Sequence, residues 1–292
     1  MGFLEAIILG VVQGLTEFLP ISSTAHLRIV PALLGWGDPG AAYSAIIQLG
    51  TVAAVIIFFW KDLIALTRAF FVGLFQRKPF GTLESRLAWY VIVGSIPVGV
   101  VGLLFKKAIE SSLRSLYVIA ASMILLGIVL WAAEKLAAHR RGLDEMTIKD
   151  GVVIGLCQAV ALIPGSSRSG TTITGGLALG LKREDAARYS FLLSIPANTA
   201  AGVFQLKQII KDPHRPSAVL LALGTVVAFA VGMAAIAWLL RYLRTRSTMV
   251  FVVYRLVVGS LLLTLLATGR LPAMSGAEEP ISPASAVVPK KD

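Results

Sequence analysis

Polar residues that could carry chemistry interrupt the first apolar stretch of the chain. The segment QGLTEFLPISSTAH, Gln13 to His26, places a carboxylate, a proline, three consecutive hydroxyl side chains and an imidazole between two apolar runs. Gln13 and Glu17 are four residues apart, so they share one face of a helix. Ser23 is a candidate nucleophile, and His26 can exchange a proton near neutral pH. Glu17 can also bind a hard divalent cation, which in phosphoryl sites bridges phosphate oxygens.

A second polar segment, PGSSRSGTT, interrupts an apolar stretch in the later half of the chain. A loop of this kind at the start of a half-helix offers successive backbone N–H groups, and the helix dipole there favours an anion. Arg168 adds a planar guanidinium that pairs with phosphate oxygens. The two segments together predict a phosphate site, with these candidate binding residues: Gln13, Ser22, Thr24, Gly165, Ser166, Ser167, Ser169, Gly170 and Thr172.

A structural alternative is a buried ion pair between Glu17 and Arg168 that joins the two segments. That alternative leaves His26 and the run of hydroxyl side chains without an explanation. The arginine at position 255, next to Tyr254 in the last apolar run, is predicted to snorkel or to pair helices rather than to take part in chemistry.

The composition indicates a membrane protein. Of 292 residues, 56% are hydrophobic and 15% are charged, and the mean hydropathy is +0.80, whereas a soluble domain carries about a quarter charged residues. The net charge of +11 could suggest nucleic acid as a partner. The positive residues, however, lie in short connections between apolar runs, which is typical of cytoplasmic loops. We therefore predict a protein that contacts membrane lipids and no nucleic acid.

Apolar runs of about 20 residues can cross the hydrocarbon core as helices. Two further regions, 3–34 and 151–181, are broken at Pro20 and Pro164 into pieces too short to cross. Irregular backbone at membrane depth is tolerated where it faces a cavity or buried protein, so each region is predicted to be a re-entrant helix hairpin with its polar residues at the tip. Six runs qualify as full spans: 41–60, 87–105, 115–133, 189–210, 217–240 and 248–268.

Lysine and arginine residues predict the orientation. Fifteen lie in the loops on one side and six in the loops on the other, and the richer side is expected to be cytoplasmic. The two hairpins then enter from opposite faces, as an inverted repeat requires. The sequence agrees, since Gln13 matches Gln158, and Ser22–Ser23 match Ser166–Ser167 if one residue is gapped.

The predicted fold class is therefore an all-α polytopic membrane protein, an inverted-topology repeat of six full transmembrane helices plus two re-entrant helix hairpins. Residues 1–268 form a single membrane domain, with repeats at about 1–133 and 151–268. Residues 269–292 are rich in Pro, Ser and Ala and are expected to be disordered. Glycine-rich spans suit close helix contact, which favours a homodimer.

The motifs QGLTEFLPISSTAH and PGSSRSGTT resemble those of the undecaprenyl-diphosphatase family, also called the bacitracin-resistance protein family. The resemblance extends over about 1–268. It implies a multi-pass enzyme of the bacterial inner membrane that dephosphorylates a C55 polyprenyl diphosphate lipid, with its active site open to the periplasmic side. It also implies dependence on a divalent cation, Mg²⁺ or Ca²⁺.

Carried onto this chain, the resemblance makes Glu17 the essential carboxylate and a metal ligand, with Gln13 in the second acidic position of the motif. Ser23 and His26 are the proposed reacting pair, and Arg168 is the phosphate-binding arginine. Which of Ser23 and His26 attacks phosphorus stays open. From the residues alone a transporter or flippase of a polyprenyl phosphate is the alternative, because inverted repeats with broken helices are a common transporter plan.

Overall fold

A computed structural model describes residues 1–37, 40–105, 115–209 and 217–271, and within these ranges the secondary structure is helical, with no β-strand. The predicted disordered tail lies almost wholly outside the described residues. The α-helices are α1 Phe3–Phe18, α2 Ser23–Leu34, α3 Gly40–Phe58, α4 Trp60–Phe75, α5 Leu83–Leu104, α6 Leu116–Leu136, α7 Ile148–Val160, α8 Arg168–Ala178, α9 Arg183–Ile209, α10 Ala218–Leu243 and α11 Met249–Ala267.

Both polar segments lie at the break between two short helices. Helices α1 and α2 have 16 and 12 residues, and α7 and α8 have 13 and 11, so none of the four reaches the length of about 20 residues that a span needs. Ser22 caps α2 by accepting from the N–H of Ala25 at 3.4 Å, and Ser167 caps α8 by accepting from the N–H of Gly170 at 3.1 Å. We refer to the segments 19–22 and 161–167 as the two hairpin tips.

The two N-cap serines reveal the correspondence between the halves. Ser22 has φ 79° and Ser167 has φ 69°, a conformation that is uncommon for residues other than glycine. The spacing from Ser22 to Ser167 equals the spacing from Gln13 to Gln158. The two hairpins therefore align without a gap, and our gapped alignment of the serine pairs is wrong: Ser23 corresponds to Arg168.

Each hairpin packs against a helix of the other half of the chain. Helix α1 lies against α10, and α7 lies against α5. At the first crossing a β-carbon on Gly10 would lie 2.7 Å from the carbonyl oxygen of Gly224, and at the second a β-carbon on Gly155 would lie 2.3 Å from that of Gly94. Glycine is required at both crossings because the backbones approach too closely for a side chain.

Four described helices are long and apolar enough to cross a membrane, namely α5, α6, α10 and α11, and a fifth span results if the bent pair α3–α4 is counted as one. The all-α membrane class is thereby confirmed. Helix α9, which covers the predicted span 189–210 as far as Ile209, is not among these helices. Its first residues are Arg183, Glu184 and Asp185, and serine and asparagine side chains interrupt its apolar sequence.

The loop predicted to follow the 41–60 run is partly helical. Helix α4 begins directly after α3 and is bent from it by 72°. Trp60, Ile64, Phe71 and Phe75 are exposed along it, and Lys61 lies 5.7 Å from the centroid of the Trp60 ring. An amphipathic helix of this kind suits the interface between lipid and water.

Candidate active site

Glu17 lies at the centre of the candidate site. Its Oε2 atom accepts hydrogen bonds from Gln13 Nε2 at 3.1 Å and from Ser23 Oγ at 2.8 Å. Its Oε1 atom accepts from Arg168 Nη2 at 3.3 Å and from Asn198 Nδ2 at 3.0 Å. The donors come from α1, α2, α8 and α9, so one carboxylate joins both hairpins and a helix of the second half.

The contacts of Glu17 define its chemical state. An ionised carboxylate accepts about four hydrogen bonds and donates none, and the four donors around Glu17 match that description. The hydroxyl of Ser23 therefore points its proton at a carboxylate oxygen. This arrangement places a base within hydrogen-bonding distance of a potential nucleophile, which nucleophilic catalysis requires.

Arg168 is the first residue of α8, directly after the N-cap. Besides Glu17 Oε1, its guanidinium donates to the carbonyl oxygens of Ser190 at 3.3 Å and of Glu17 at 3.4 Å. Its Nε atom is buried with no hydrogen-bond partner among the described residues. The guanidinium is thus close to Glu17 and Ser23 and keeps a donor for a further acceptor such as a phosphate oxygen.

His26 is in the hairpin but makes its hydrogen bonds elsewhere. Its Nδ1 lies 2.7 Å from the carbonyl oxygen of Ser22, and because a carbonyl only accepts, Nδ1 must carry the proton. In the neutral ring Nε2 then accepts from the hydroxyl of Tyr254 at 2.6 Å, and the two rings are stacked with centroids 5.5 Å apart. The structure therefore pairs Ser23 with Glu17, and both ring nitrogens of His26 are occupied by other groups.

Several predicted binding residues shape the hairpin tips. Ser22 Oγ lies 3.1 Å from Thr24 Oγ1, and Ser167 Oγ lies 3.2 Å from Ser169 Oγ, so the two N-caps repeat the same contact. Ser169 Oγ also donates to the carbonyl oxygen of Leu19 at 3.0 Å, which links one hairpin to the other. Except at Thr24, which is exposed, these hydroxyls are buried.

Two further predicted residues differ in what they offer a ligand. Thr172 Oγ1 donates to the carbonyl oxygen of Arg168 at 2.7 Å and contacts Ser190 Oγ at 2.6 Å, so its hydroxyl is fully used in the fold. Ser166 Oγ, in contrast, is buried without a partner within the described ranges. The N–H groups of Arg168 and Ser169, the first two of α8, have no acceptor within the helix, so they too can bind an anion.

Gly165 permits the second tip to contact α6. It has φ 88°, and a β-carbon there would lie 2.2 Å from Ser122 Oγ and 2.5 Å from the carbonyl oxygen of Ile119. Ser122 Oγ donates in turn to the carbonyl oxygen of Pro164 at 2.6 Å. The position and conformation of this tip therefore depend on glycine, which alone adopts such a φ at little cost.

Asn198 and Tyr254 were not predicted from the sequence as contributors to the site, and Arg255 was given two alternative roles. Asn198 donates to Glu17, and Tyr254 donates to His26, each from a helix distant in sequence. The sequence did contain a signal for Asn198, which is a polar residue two positions after Pro196 in an apolar run. Arg255 does not snorkel, since only 1% of its surface is exposed. It pairs helices, as the alternative prediction had it, by donating to carbonyl oxygens of α6, and it also donates to carbonyl oxygens of both hairpin tips.

The described residues include no group of three or more His, Cys, Asp and Glu side chains that could hold a metal ion. Glu17 is the carboxylate of the site, and the amide oxygen of Gln13 is a second oxygen ligand on the same helix face. Magnesium is commonly bound by one or two carboxylates, with water and substrate phosphates completing its shell. Glu17 and the amide oxygen of Gln13 therefore fit a divalent cation for which they would supply two of the oxygen ligands.

Comparison with known proteins gives consistent matches over most of the chain. The family described as bacitracin resistance protein BacA matches residues 6–261. An undecaprenyl-diphosphatase of Myxococcus xanthus is 68% identical over 278 residues, which are 95% of this chain and 94% of the relative. Proteins of the same name from Chloroherpeton thalassium and a Nocardioides species are 54% and 49% identical, covering 94% and 93% of this chain and 100% and 99% of their own lengths.

Proposed function

The chain belongs to the bacitracin resistance protein family, and from this membership we propose that it is an undecaprenyl-diphosphatase. It hydrolyses C55 polyprenyl diphosphate to the monophosphate and inorganic phosphate, and so recycles the lipid carrier of bacterial cell-wall synthesis. The observation that carries the proposal is the Glu17 carboxylate, which accepts from the Ser23 hydroxyl and the Arg168 guanidinium at once. A nucleophile, a base and a phosphate-binding cation thus lie together.

The reaction uses these three groups in order. Arg168 and the first N–H groups of α8 bind the terminal phosphate, with its phosphorus facing Ser23 Oγ. The oxygen–phosphorus bond to Ser23 forms while the bond from phosphorus to the bridging oxygen breaks, and the electron pair leaves on the lipid monophosphate. Glu17 takes the proton from Ser23. Water then attacks the phosphorus of the phosphoserine while the bond from phosphorus to Ser23 Oγ breaks. Glu17 returns its proton to Ser23 Oγ, and both protons of the water leave with the inorganic phosphate.

A divalent cation, Mg²⁺ or Ca²⁺, is part of the proposal. When bound, it would neutralise charge on the diphosphate oxygens. Glu17 would hold it, together with the amide oxygen of Gln13. Because Glu17 already accepts four hydrogen bonds, a cation would replace one of these donors.

Phosphate release from a long-chain prenyl diphosphate by the purified protein tests both parts. We expect release in Mg²⁺ or Ca²⁺, loss of turnover in excess chelator, and recovery when the cation is restored. A protein that releases no phosphate under any condition would end the enzymatic proposal. Full activity in excess chelator would instead contradict the proposed dependence on a divalent cation and leave the enzymatic proposal intact.

We place the enzyme in the bacterial inner membrane with six spans and two re-entrant hairpins that enter from opposite faces. The repeats are about 1–133 and 151–268, and the active site opens to the periplasmic side. The matching N-caps at Ser22 and Ser167 and the exchange of packing between the halves support this arrangement. Assembly as a homodimer is proposed on the glycine content of the spans alone.

Cysteine labelling tests the orientation. Gln76, after α4, and Arg270, after α11, are both exposed and should lie on the cytoplasmic and periplasmic sides respectively. Gln76→Cys and Arg270→Cys, each in a Cys157→Ala background, should react with an impermeant thiol reagent from opposite sides of the membrane. Reaction of both from one side would rule out the topology and the inverted repeat with it.

A further inference from the structure

Arg255 on α11 uses its whole guanidinium to bind backbone carbonyls. Nε donates to Met123 at 3.1 Å, Nη1 to Pro20 and Ser166 at 3.3 and 2.9 Å, and Nη2 to Ser122 and Gly165 at 3.3 and 3.2 Å. A guanidinium has five N–H donors, and each of them here has its own acceptor. Three acceptors belong to the hairpin tips and two to α6.

The acceptors of Arg255 are neutral, so its charge is solvated by peptide dipoles rather than cancelled by a carboxylate. A buried charge is costly unless it is fully hydrogen-bonded, and the five carbonyls meet that condition. At the neighbouring site, Glu17 and Arg168 form an ion pair. The charges of Glu17 and Arg168 cancel, so the three groups together carry one net positive charge, that of Arg255. This charge favours an anion nearby.

The contacts of Arg255 bear directly on the two reacting positions. Ser166 immediately precedes the N-cap of α8, and Pro20 lies two residues before the N-cap of α2. The residues that follow the two N-caps are Ser23 and Arg168. The side chain of Arg255 therefore binds the backbone that precedes Ser23 and the backbone that precedes Arg168. It thereby fixes the position of one relative to the other.

The fold leaves room for this side chain. A β-carbon on Gly170 would lie 2.9 Å from Arg255 Nη1, and one on Gly127 would lie 3.3 Å from Arg255 Cβ. The residue before Arg255, Tyr254, donates to His26 of the first hairpin. This turn of α11 thus contacts the first hairpin through two consecutive side chains.

We propose that Arg255 is a positioning residue: by binding both hairpin tips it sets the distance between Ser23 and Arg168 and supplies the uncompensated positive charge behind the phosphate site. The inference rests on the proposed diphosphatase function. Because Arg255 acts through the tips, a replacement that keeps its positive charge should affect turnover more than substrate binding, which Arg168 still provides.

The first test compares Arg255→Lys with Arg183→Lys. Lysine keeps the charge at position 255 but has three donors for five carbonyls, so the tips should lose their alignment. We expect kcat to fall by roughly 10²-fold, the effect of misplacing reacting groups by about 1 Å, while KM changes only a few-fold. Arg183→Lys is the matched control. Arg183 is the first residue of α9 and pairs with Glu134, so its replacement should leave kcat unchanged.

The second test is chemical rescue of a folded variant, which shows whether the five carbonyls require the geometry of a guanidinium. Arg255→Gly leaves a space lined by the five carbonyls, and millimolar guanidinium should restore activity at least 10-fold over the unsupplemented variant. Ammonium at equal ionic strength should not, because it lacks the planar fork. Equal rescue by ammonium, or a folded Arg255→Lys with wild-type kcat, would overturn the inference. A wild type that releases no phosphate would instead overturn the proposed function.

Discussion

Replacing Ser23 with alanine, or Glu17 with glutamine, should lower the rate of diphosphate hydrolysis by roughly 10²–10⁴-fold, the usual contribution of a positioned proton acceptor. Ser23 Oγ lies 2.8 Å from Glu17 Oε2, so the first change removes the nucleophile and the second removes its base. Both variants keep Arg168 and should still bind the substrate. The measurement is phosphate release alongside binding of the lipid diphosphate in detergent.

The matched control is Ser95→Ala. Ser95 Oγ donates to the carbonyl oxygen of Val91 in its own helix, and its loss should leave hydrolysis unchanged. His26→Ala should have a smaller effect than Ser23→Ala, because His26 is bonded to Ser22 and Tyr254. Wild-type hydrolysis by Ser23→Ala would remove the assignment of Ser23 as the nucleophile.

Arg168→Ala should weaken substrate binding and also lower turnover by roughly 10²–10³-fold, because a donor aimed at developing charge is lost from a buried site. Arg168→Lys should recover only part of both, since an ammonium cannot form the bidentate contact of a guanidinium. KM and kcat of the two variants, measured on the same lipid diphosphate, give the comparison.

Arg168→Ala also leaves the buried carboxylate of Glu17 without the guanidinium that pairs with it. Breaking such a pair typically costs about 3–5 kcal/mol of stability. A double variant separates the two effects. Arg168→Ala with Glu17→Gln should regain thermal stability in detergent because the unpaired charge is gone, yet stay inactive. Recovery of hydrolysis together with stability would mean that Arg168 serves the fold alone.

The hairpin tips were largely predictable because their signals are local. A proline and a run of hydroxyls inside an apolar stretch indicated each break, and the four-residue spacing of Gln13 and Glu17 indicated a shared face. The contacts at Glu17 bring these residues together with Ser23 and Arg168. Local sequence therefore identified most of the side chains that meet at this carboxylate.

The remaining contacts depend on which helices pack together, and no local pattern encodes that. Asn198 reaches Glu17 from a helix 181 positions away in sequence, and Arg255 faces the interior because α11 lies against α6. The alignment of the halves failed for a related reason. Paired serines were matched by type, whereas equivalence follows the N-cap role that Ser22 and Ser167 share.

That equivalence has a consequence for how a substrate docks. A perfectly symmetric scaffold would accept a diphosphate in two orientations, with the lipid on either side of the axis, and both would be equally reactive. Here the residue after one N-cap is Ser23 and the residue after the other is Arg168, while the position equivalent to Glu17 is Leu162. The two hairpins thus differ at the positions proposed to react, so under the proposed mechanism one docking orientation brings the terminal phosphorus to the serine and the other does not.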